Sequence, residues 1–335
     1  MTYQPDNERY FALALDPIHV GTGGYRLGRV DMSIVREPGT NVPKIPGTSL
    51  SGACRTYAAM TADTSERSSS LPPIWPHCAG QGQPDEKRNY KGHCGDVNCP
   101  ICVTFGFSKG THGGSFQGLA QFSDAQLVLF PVYSLAGPVW ITCSAILHDL
   151  DIMETDPQDA QVRVADGVKI SERLNLGWLM LNAKTGFSLS LPAVPPEILN
   201  RAVLVSNKLF GQIVNDNLEV RTSVSIDPNT GAAADGALFT YEALPRASVL
   251  AFDVVMSAPK YYCINGQVPL SNRSCSDEQE TQPEQNDITA VRSVVEQGLH
   301  LFQSLGVGGM NTRGMGRLKV LGLENGEAGN DPAES

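Results

Sequence analysis

The chain has 335 residues, 41% of them hydrophobic, and a formal net charge of −10. No apolar run reaches the roughly 18 residues a membrane helix needs, and the first residues lack the basic-then-apolar pattern of a secretory signal, so a non-membrane, cytoplasmic protein is expected. The acidity is local: residues 277–287 hold five acids and 324–335 hold four, neither stretch with a Lys or Arg. They read as part of an acidic loop (271–287) and a disordered tail (324–335), and the near-neutral remainder leaves room for a groove that binds a polyanion.

In chain order, YFALALD (10–16) predicts a strand closed by Pro17, and the alternation of RVDMSIVR (29–36) predicts a second. Residues 49–62 predict a helix with Leu50, Ala53, Cys54, Tyr57 and Ala58 on one face. A loop-rich block follows at 63–118, long enough to be an insertion with its own reason for order. Strands are expected at 119–131, 138–147, 161–170 and 186–191, then a helix at 196–214 with Pro early. EVRTSVSID, a Pro-Asn-Thr-Gly turn and GALFTYEALP predict a hairpin within 216–246, followed by a strand at 247–257. Asp287 can cap a helix at 288–305, a Gly-rich turn occupies 306–317, and RLKVLGL (317–323) closes the fold as a strand. The order predicts an α+β, ferredoxin-like single domain over 1–323 with insertions.

Four segments carry chemistry. The start of the first helix, PGTSLSG (46–52), offers unpaired backbone N–H groups of the kind that bind phosphate. The turns at 21–28 and 306–317 match neither a dinucleotide fingerprint nor a nucleoside-triphosphate loop, because strand and helix stand in the wrong order and no Gly-Lys-Ser/Thr is present. They read either as tight turns needing positive φ or as sites of close backbone approach. In the second turn Gly308, Gly309, Asn311, Arg313 and Gly314 favour contact with a phosphodiester chain. Asp31 is an acid in a strand-like segment, where Asp is disfavoured; by itself this fits an edge position in water. Finally, HCAGQGQPDEKRNYKGHCGDVNCPIC (77–102) clusters Cys78, Cys94, Cys99 and Cys102 beside His77 and His93. A Cys-x-x-Cys knuckle in a core-poor insertion favours structural zinc over a redox pair or unrelated thiols, and the fourth ligand stays open among His77, Cys78 and His93. Disulfides are not expected. Cys54, Cys143 and Cys263 read as buried small hydrophobes, and Cys275 has no visible partner.

The blocks GRVDMSIVRE (28–37), IPGTSLSGACR (45–55), FSDAQLVLFPV (122–132), SVSIDPNTGAAADGALFTYEALP (223–245) and GVGGMNTRGMGRLKV (306–320) together resemble the RAMP superfamily, and within it the backbone subunit of type III CRISPR effector complexes. The FPV and GALF blocks resemble the III-B version, the cysteine knuckle the III-A counterpart. The resemblance implies an RNA-recognition-motif-like palm, a thumb hairpin (216–246) and head-to-tail assembly with further copies and other effector subunits along a guide (CRISPR) RNA. It implies cleavage of the complementary single-stranded target RNA at intervals of about six nucleotides, with Mg²⁺ or Mn²⁺ as the divalent ion. Asp31 falls on the acid implicated in cutting, and His19 lies near the cut. Ser49, Arg55 and the 308–314 turn fall on guide-backbone contacts. Ile226, Leu238 and Phe239 belong to the thumb. Relatives read Ser-Leu-Lys-Gly where this chain has Ser49-Leu50-Ser51-Gly52, a lost phosphate contact that Arg26, Arg29 or Arg55 would offset. Within the same superfamily, a non-cleaving filament subunit and a guide-processing ribonuclease are the alternatives.

Overall fold

The computed structural model describes residues 3, 5–23, 30–62, 71, 73–80, 92–108, 114–170, 172–276 and 286–323. Arg26, Arg29, most of the expected acidic loop and the whole expected tail lie outside the described residues. The strands are β1 (Asp6–Ala14), β2 (Lys44–Ile45), β3 (Phe107–Ser108), β4 (Ser115–Phe116), β5 (Ala120–Phe122), β6 (Ala125–Val132), β7 (Val139–Cys143), β8 (Gln161–Val164), β9 (Arg173–Leu176), β10 (Leu179–Thr185), β11 (Ala202–Val205), β12 (Glu219–Ile226), β13 (Ala233–Ala243), β14 (Val249–Met256) and β15 (Leu318–Val320). The helices are α1 (Gly47–Thr61), α2 (Ile74–His77), α3 (Pro100–Phe105), α4 (Ser144–Asp149), α5 (Pro196–Leu199), α6 (Asn207–Asp216), α7 (Asn286–His300) and α8 (Phe302–Leu305). Among the described residues no helix is long and apolar enough to cross a membrane.

One mixed sheet organises the α+β fold, in the order β15-β1-β14-β6-β7-β11-β8-β10-β9, with β2 on β6 and β5 on β14. Its central strands are apolar in continuous runs because both faces are covered. In β1, Tyr10 and Ala12 enter one core and Phe11 the other. The first core lies under α1 and α7, where Leu50, Cys54 and Ala58 join Val291, Val295 and Leu299. A Cβ at Gly298 would lie 2.4 Å from the Cys54 carbonyl oxygen, so glycine there lets the two helices close together. The opposite core gathers Leu147, Phe187, Leu189, Leu191 and Ile198. Each fully buried Leu, Ile or Phe contributes about 1.5–3 kcal/mol, and these two layers set the rigid frame of the site.

Several expected elements differ. The single helix over 196–214 is α5, β11 and α6: Ala202 and Leu204 fill one core while Val203 and Val205 fill the other. A short run buried on both sides is a central strand, which periodicity cannot distinguish from a buried helix. Residues 186–191 bury alternate apolar side chains but join no ladder, and β9–β10 takes their place at the sheet edge. The strand expected over 138–147 ends at Cys143 and turns into α4. Residues 30–36 make only isolated bridges, Met32 with Tyr241, Ile34 with Gly21 and Arg36 with Pro43. Cys263 is exposed rather than buried and forms a disulfide with Cys275, because the chain doubles back through bridges from Gln267 to Ile264 and Ser274.

Candidate functional site

Register explains why distant segments meet. Leu13 pairs with Val249 and Ala14 with Leu318, so the end of β1 and the starts of β14 and β15 share one end of the sheet. The chain after β1, the β12–β13 hairpin before β14 and the Gly-rich turn before β15 all leave from that end. Ile18 and Leu244 exchange backbone hydrogen bonds of 2.8 and 2.9 Å. The amides of Gly309 and Gly316 donate to the carbonyls of His19 (2.8 Å) and Pro17 (2.9 Å). Gly308 has φ +87°, and a Cβ there would lie 2.5 Å from the His19 oxygen. Left-handed geometry and close approach both demand glycine.

The hairpin β12–β13 closes through the expected Pro-Asn-Thr-Gly turn, and Val224, Ile226 and Leu238 stand exposed along it. At its root, the outward backbone groups of β13 engage the segment after β1. Met32 N–H donates to the Thr240 carbonyl (3.1 Å), and Glu242 N–H to the Met32 carbonyl (3.2 Å). Asp31 is fixed here. Thr240 donates to Asp31 Oδ2 from its backbone N–H (2.7 Å) and its hydroxyl (2.9 Å), and Asp31 N–H donates to that hydroxyl (3.1 Å). The Asp31 side chain thus takes the place of a backbone carbonyl in accepting the Thr240 amide. These donors, the Thr240 amide first, hold the exposed Asp31 carboxyl below the usual carboxylate range.

Arg313, exposed, has its guanidinium carbon 5.7 Å from the ring centre of Phe239, the residue before Thr240. Tyr241, Ala243 and Met315, with Met32, Phe239 and Met310 against them, form a small apolar seat beneath. An exposed carboxylate, an exposed guanidinium on an aromatic ring, glycine-lined backbone and a projecting apolar hairpin therefore share one surface. Such a surface has the cation and the closely approachable backbone that contact with a phosphodiester chain requires, and apolar side chains on which bases can stack without being read.

A second centre lies within residues 78–102. The sulfurs of Cys78, Cys94, Cys99 and Cys102 are buried and lie within 4.8 Å of one another. Cys78 is 3.4 Å from Cys94 and 3.8 Å from Cys99, and Cys94 is 3.6 Å from Cys102. Four thiolates at about 2.3 Å from a tetrahedral ion stand roughly 3.8 Å apart, so the geometry fits one metal ion. His93 Nε2 lies 3.1 Å from the Ala79 carbonyl, and burial pushes this imidazole down to about 4.

Residues 12–319 match the model of the RAMP superfamily. The chain belongs to that superfamily. The CRISPR system Cmr endoribonuclease Cmr4 of Pyrococcus furiosus is 23% identical over 270 residues, covering 73% of this chain and 80% of that protein. The fold matches the type III-B Cmr-beta complex bound to cognate target RNA (TM-score 0.59, 13% identity, 96% of this chain and 98% of the other). It also matches oligomeric Cmr4 from Pyrococcus furiosus (TM-score 0.55, 16% identity, 95% and 97%).

Not every expected contact of this RAMP chain reaches the surface. Arg55, expected on the guide backbone, is buried: Nε donates to the Cys78 carbonyl (2.8 Å) and Nη1 to that of Gly106 (2.6 Å). A helix residue pointing into the sulfur centre cannot meet solvent phosphate. His19 is 5% exposed, with Nδ1 2.7 Å from the Glu242 carbonyl and its ring edge-on to Tyr241, so it braces three segments instead of facing substrate. Asn311 spends its amide on the Leu305 carbonyl at 2.7 Å, closing the turn. Ser49 is half-buried, with its amide donating to the Pro46 carbonyl (2.9 Å). The helix start there already holds a carboxylate, because Gly47 N–H donates to Asp124 (2.7 Å).

Thr240, the Arg36–Glu242 ion pair (2.6 Å) and the Tyr57 hydroxyl on the Gly306 carbonyl (2.7 Å) went unseen in the sequence. Only the polar Thr240 between aromatic residues at the hairpin root offered any signal.

Proposed function

We propose that this chain is the guide-RNA-binding backbone subunit of a type III, III-B-like, CRISPR effector complex, and that it cuts the bound target RNA beside Asp31. The observation that carries this reading is the placement of Asp31: an exposed, ionised carboxylate anchored at the root of an apolar hairpin and flanked by a glycine-lined turn with Arg313. Base pairing would supply sequence recognition while the protein holds backbone and shape.

In this reading the sheet with α1 and α7 is the ferredoxin-like, RNA-recognition-motif-like palm of one domain over 1–323. The segment 63–118 is a metal-binding insertion, and 216–246 is a thumb. Exposed Ile226 and Leu238, with Phe239 at the root, wedge between bases and splay one nucleotide at intervals of about six. Gly308, Gly309, Arg313 and Gly314 approach the guide backbone. Copies of the chain and other effector subunits repeat the arrangement along the guide.

Cleavage needs the 2′-oxygen of the splayed nucleotide in line with the scissile phosphorus. The 2′-hydroxyl gives its proton to water as its oxygen bonds to phosphorus, the bond from phosphorus to the 5′-oxygen breaks, that oxygen leaves with a proton from water, and a 2′,3′-cyclic phosphate remains. Holding this geometry supplies much of the rate. Asp31 is in no group of three or more metal-ligating side chains among the described residues. A Mg²⁺ or Mn²⁺ ion at this place would have Asp31 as its one carboxylate ligand, with RNA phosphates and water completing its shell. Such an ion would stabilise charge developing on the phosphate. In the insertion, Cys78, Cys94, Cys99 and Cys102 would hold structural zinc, since four thiolates leave no position open for chemistry.

The test is a cleavage ladder on guide-complementary RNA, with and without divalent ion. Periodic products that vanish with Asp31→Asn while guide binding persists are expected. An undiminished ladder in that variant refutes the assignment to Asp31 and leaves a subunit that only binds.

A further inference from the structure

We propose that Thr240 is the positioning residue of the cleavage site, fixing Asp31 as an oriented anion with Oδ2 tied to the hairpin and Oδ1 left as the oxygen offered to ligands. The proposal rests on the nuclease reading above and names the residue that sets its geometry.

The hydrogen bonds form a closed ring of consistent polarity. Asp31 N–H donates to the Thr240 hydroxyl, the hydroxyl donates to Asp31 Oδ2, and the Thr240 amide donates to the same oxygen. Both Thr240 donors reach Oδ2, and among the described residues no hydrogen bond from another residue is made to Oδ1. An exposed carboxylate is well solvated by water and needs no such ring for burial, so what the ring adds is direction. Thr240 can serve this way because of register: it pairs with Thr222 inside the hairpin, yet its N–H and C=O both point out of the hairpin toward Asp31 and Met32. Glu242, two residues on, repeats the pattern: its N–H donates to Met32 and its carbonyl receives His19. The root of β13 is therefore a template for the segment that carries the acid.

The chemical consequence separates two roles for Asp31. A general base works best with a pKa near the working pH, whereas donors to the charged form lower it. Asp31 is thus a fixed charge that orients a cation or the RNA backbone, and it is ill-suited to take a proton from the 2′-hydroxyl.

The experiment measures multiple-turnover cleavage of target RNA by the assembled guide complex across pH, with parent, Thr240→Val, Thr240→Ser, Thr240→Ala and Asp31→Asn. Thr240→Val keeps the shape and the amide bond but removes the hydroxyl. The expected result is a kcat lower by about tenfold or more, the size of one lost charge-assisted hydrogen bond. KM for target and affinity for guide should stay unchanged. The acid limb should move to higher pH, because the carboxyl returns toward its ordinary value. Thr240→Ser should restore both, and Thr240→Ala should reproduce the defect if Thr240→Val folds poorly. Cleavage lost in Asp31→Asn but unmoved in kcat and acid limb by Thr240→Val and Thr240→Ala overturns the proposal alone. Undiminished cleavage by Asp31→Asn overturns the nuclease reading and the proposal together.

Discussion

Replacing Arg55 with Met separates two roles that the residue type alone leaves open. The side chain is 8% exposed, and it donates to the carbonyls of Cys78 (2.8 Å) and Gly106 (2.6 Å), with Nη2 4.0 Å from Cys102 Sγ. It thereby ties α1 to both ends of the sulfur centre. Methionine keeps most of the volume but strands both carbonyls and removes the cation that offsets the charge of clustered thiolates. Two charge-assisted bonds at about 1.5–3 kcal/mol each, with little solvent to replace them, give a loss of roughly 3–6 kcal/mol. At about 1–2 °C per kcal/mol for a chain of this size, the melting temperature should fall by roughly 5 °C. Differential scanning calorimetry reads the loss, and filter binding at a temperature well below both transitions reads guide affinity. Affinity of the folded variant should hold within about twofold, since no guanidinium atom faces solvent phosphate. A tenfold loss of guide affinity at an unchanged melting temperature would refute this reasoning and restore Arg55 to the RNA surface.

Gly308→Ala places a Cβ 2.5 Å from the His19 oxygen at φ +87°, so thermal stability should drop by about 1–3 kcal/mol, with guide binding weakened in the same variant. Leu238→Ser, at a side chain 66% exposed, should leave stability within about 0.5 kcal/mol while weakening cleavage periodicity, read on a sequencing gel. Elemental analysis should find about one zinc per chain, lost together with thermal stability in Cys99→Ser or after strong chelation. Asp124 is held below the usual carboxylate range by Lys44 first and by the Gly47 amide. Its contribution is therefore complete above the ordinary carboxyl range and lost as pH falls through the lower folded value. Asp124→Asn should flatten the acid limb of stability between roughly pH 5 and 2, measured by urea denaturation.

What could be read along the chain was what local chemistry dictates. A Pro-Asn-Thr-Gly turn between alternating runs makes a hairpin, thiols at knuckle spacing gather, and Gly306, Gly308, Gly314 and Gly316 mark left-handed backbone that side chains disfavour. The α1 and α7 helices follow from their apolar spacing in the same way. Tertiary structure alone decided which side chains face solvent. Arg55 and His19 are as polar as Arg313, yet packing turns the first two inward and leaves the third on the surface. The β11 strand, the Cys263–Cys275 bond and the Thr240 ring each depend on partners far away in sequence or on a loop's path. Hydrogen-bond direction and burial follow from sheet register, here Leu13 with Val249 and Ala14 with Leu318, and register is a property of the assembled sheet.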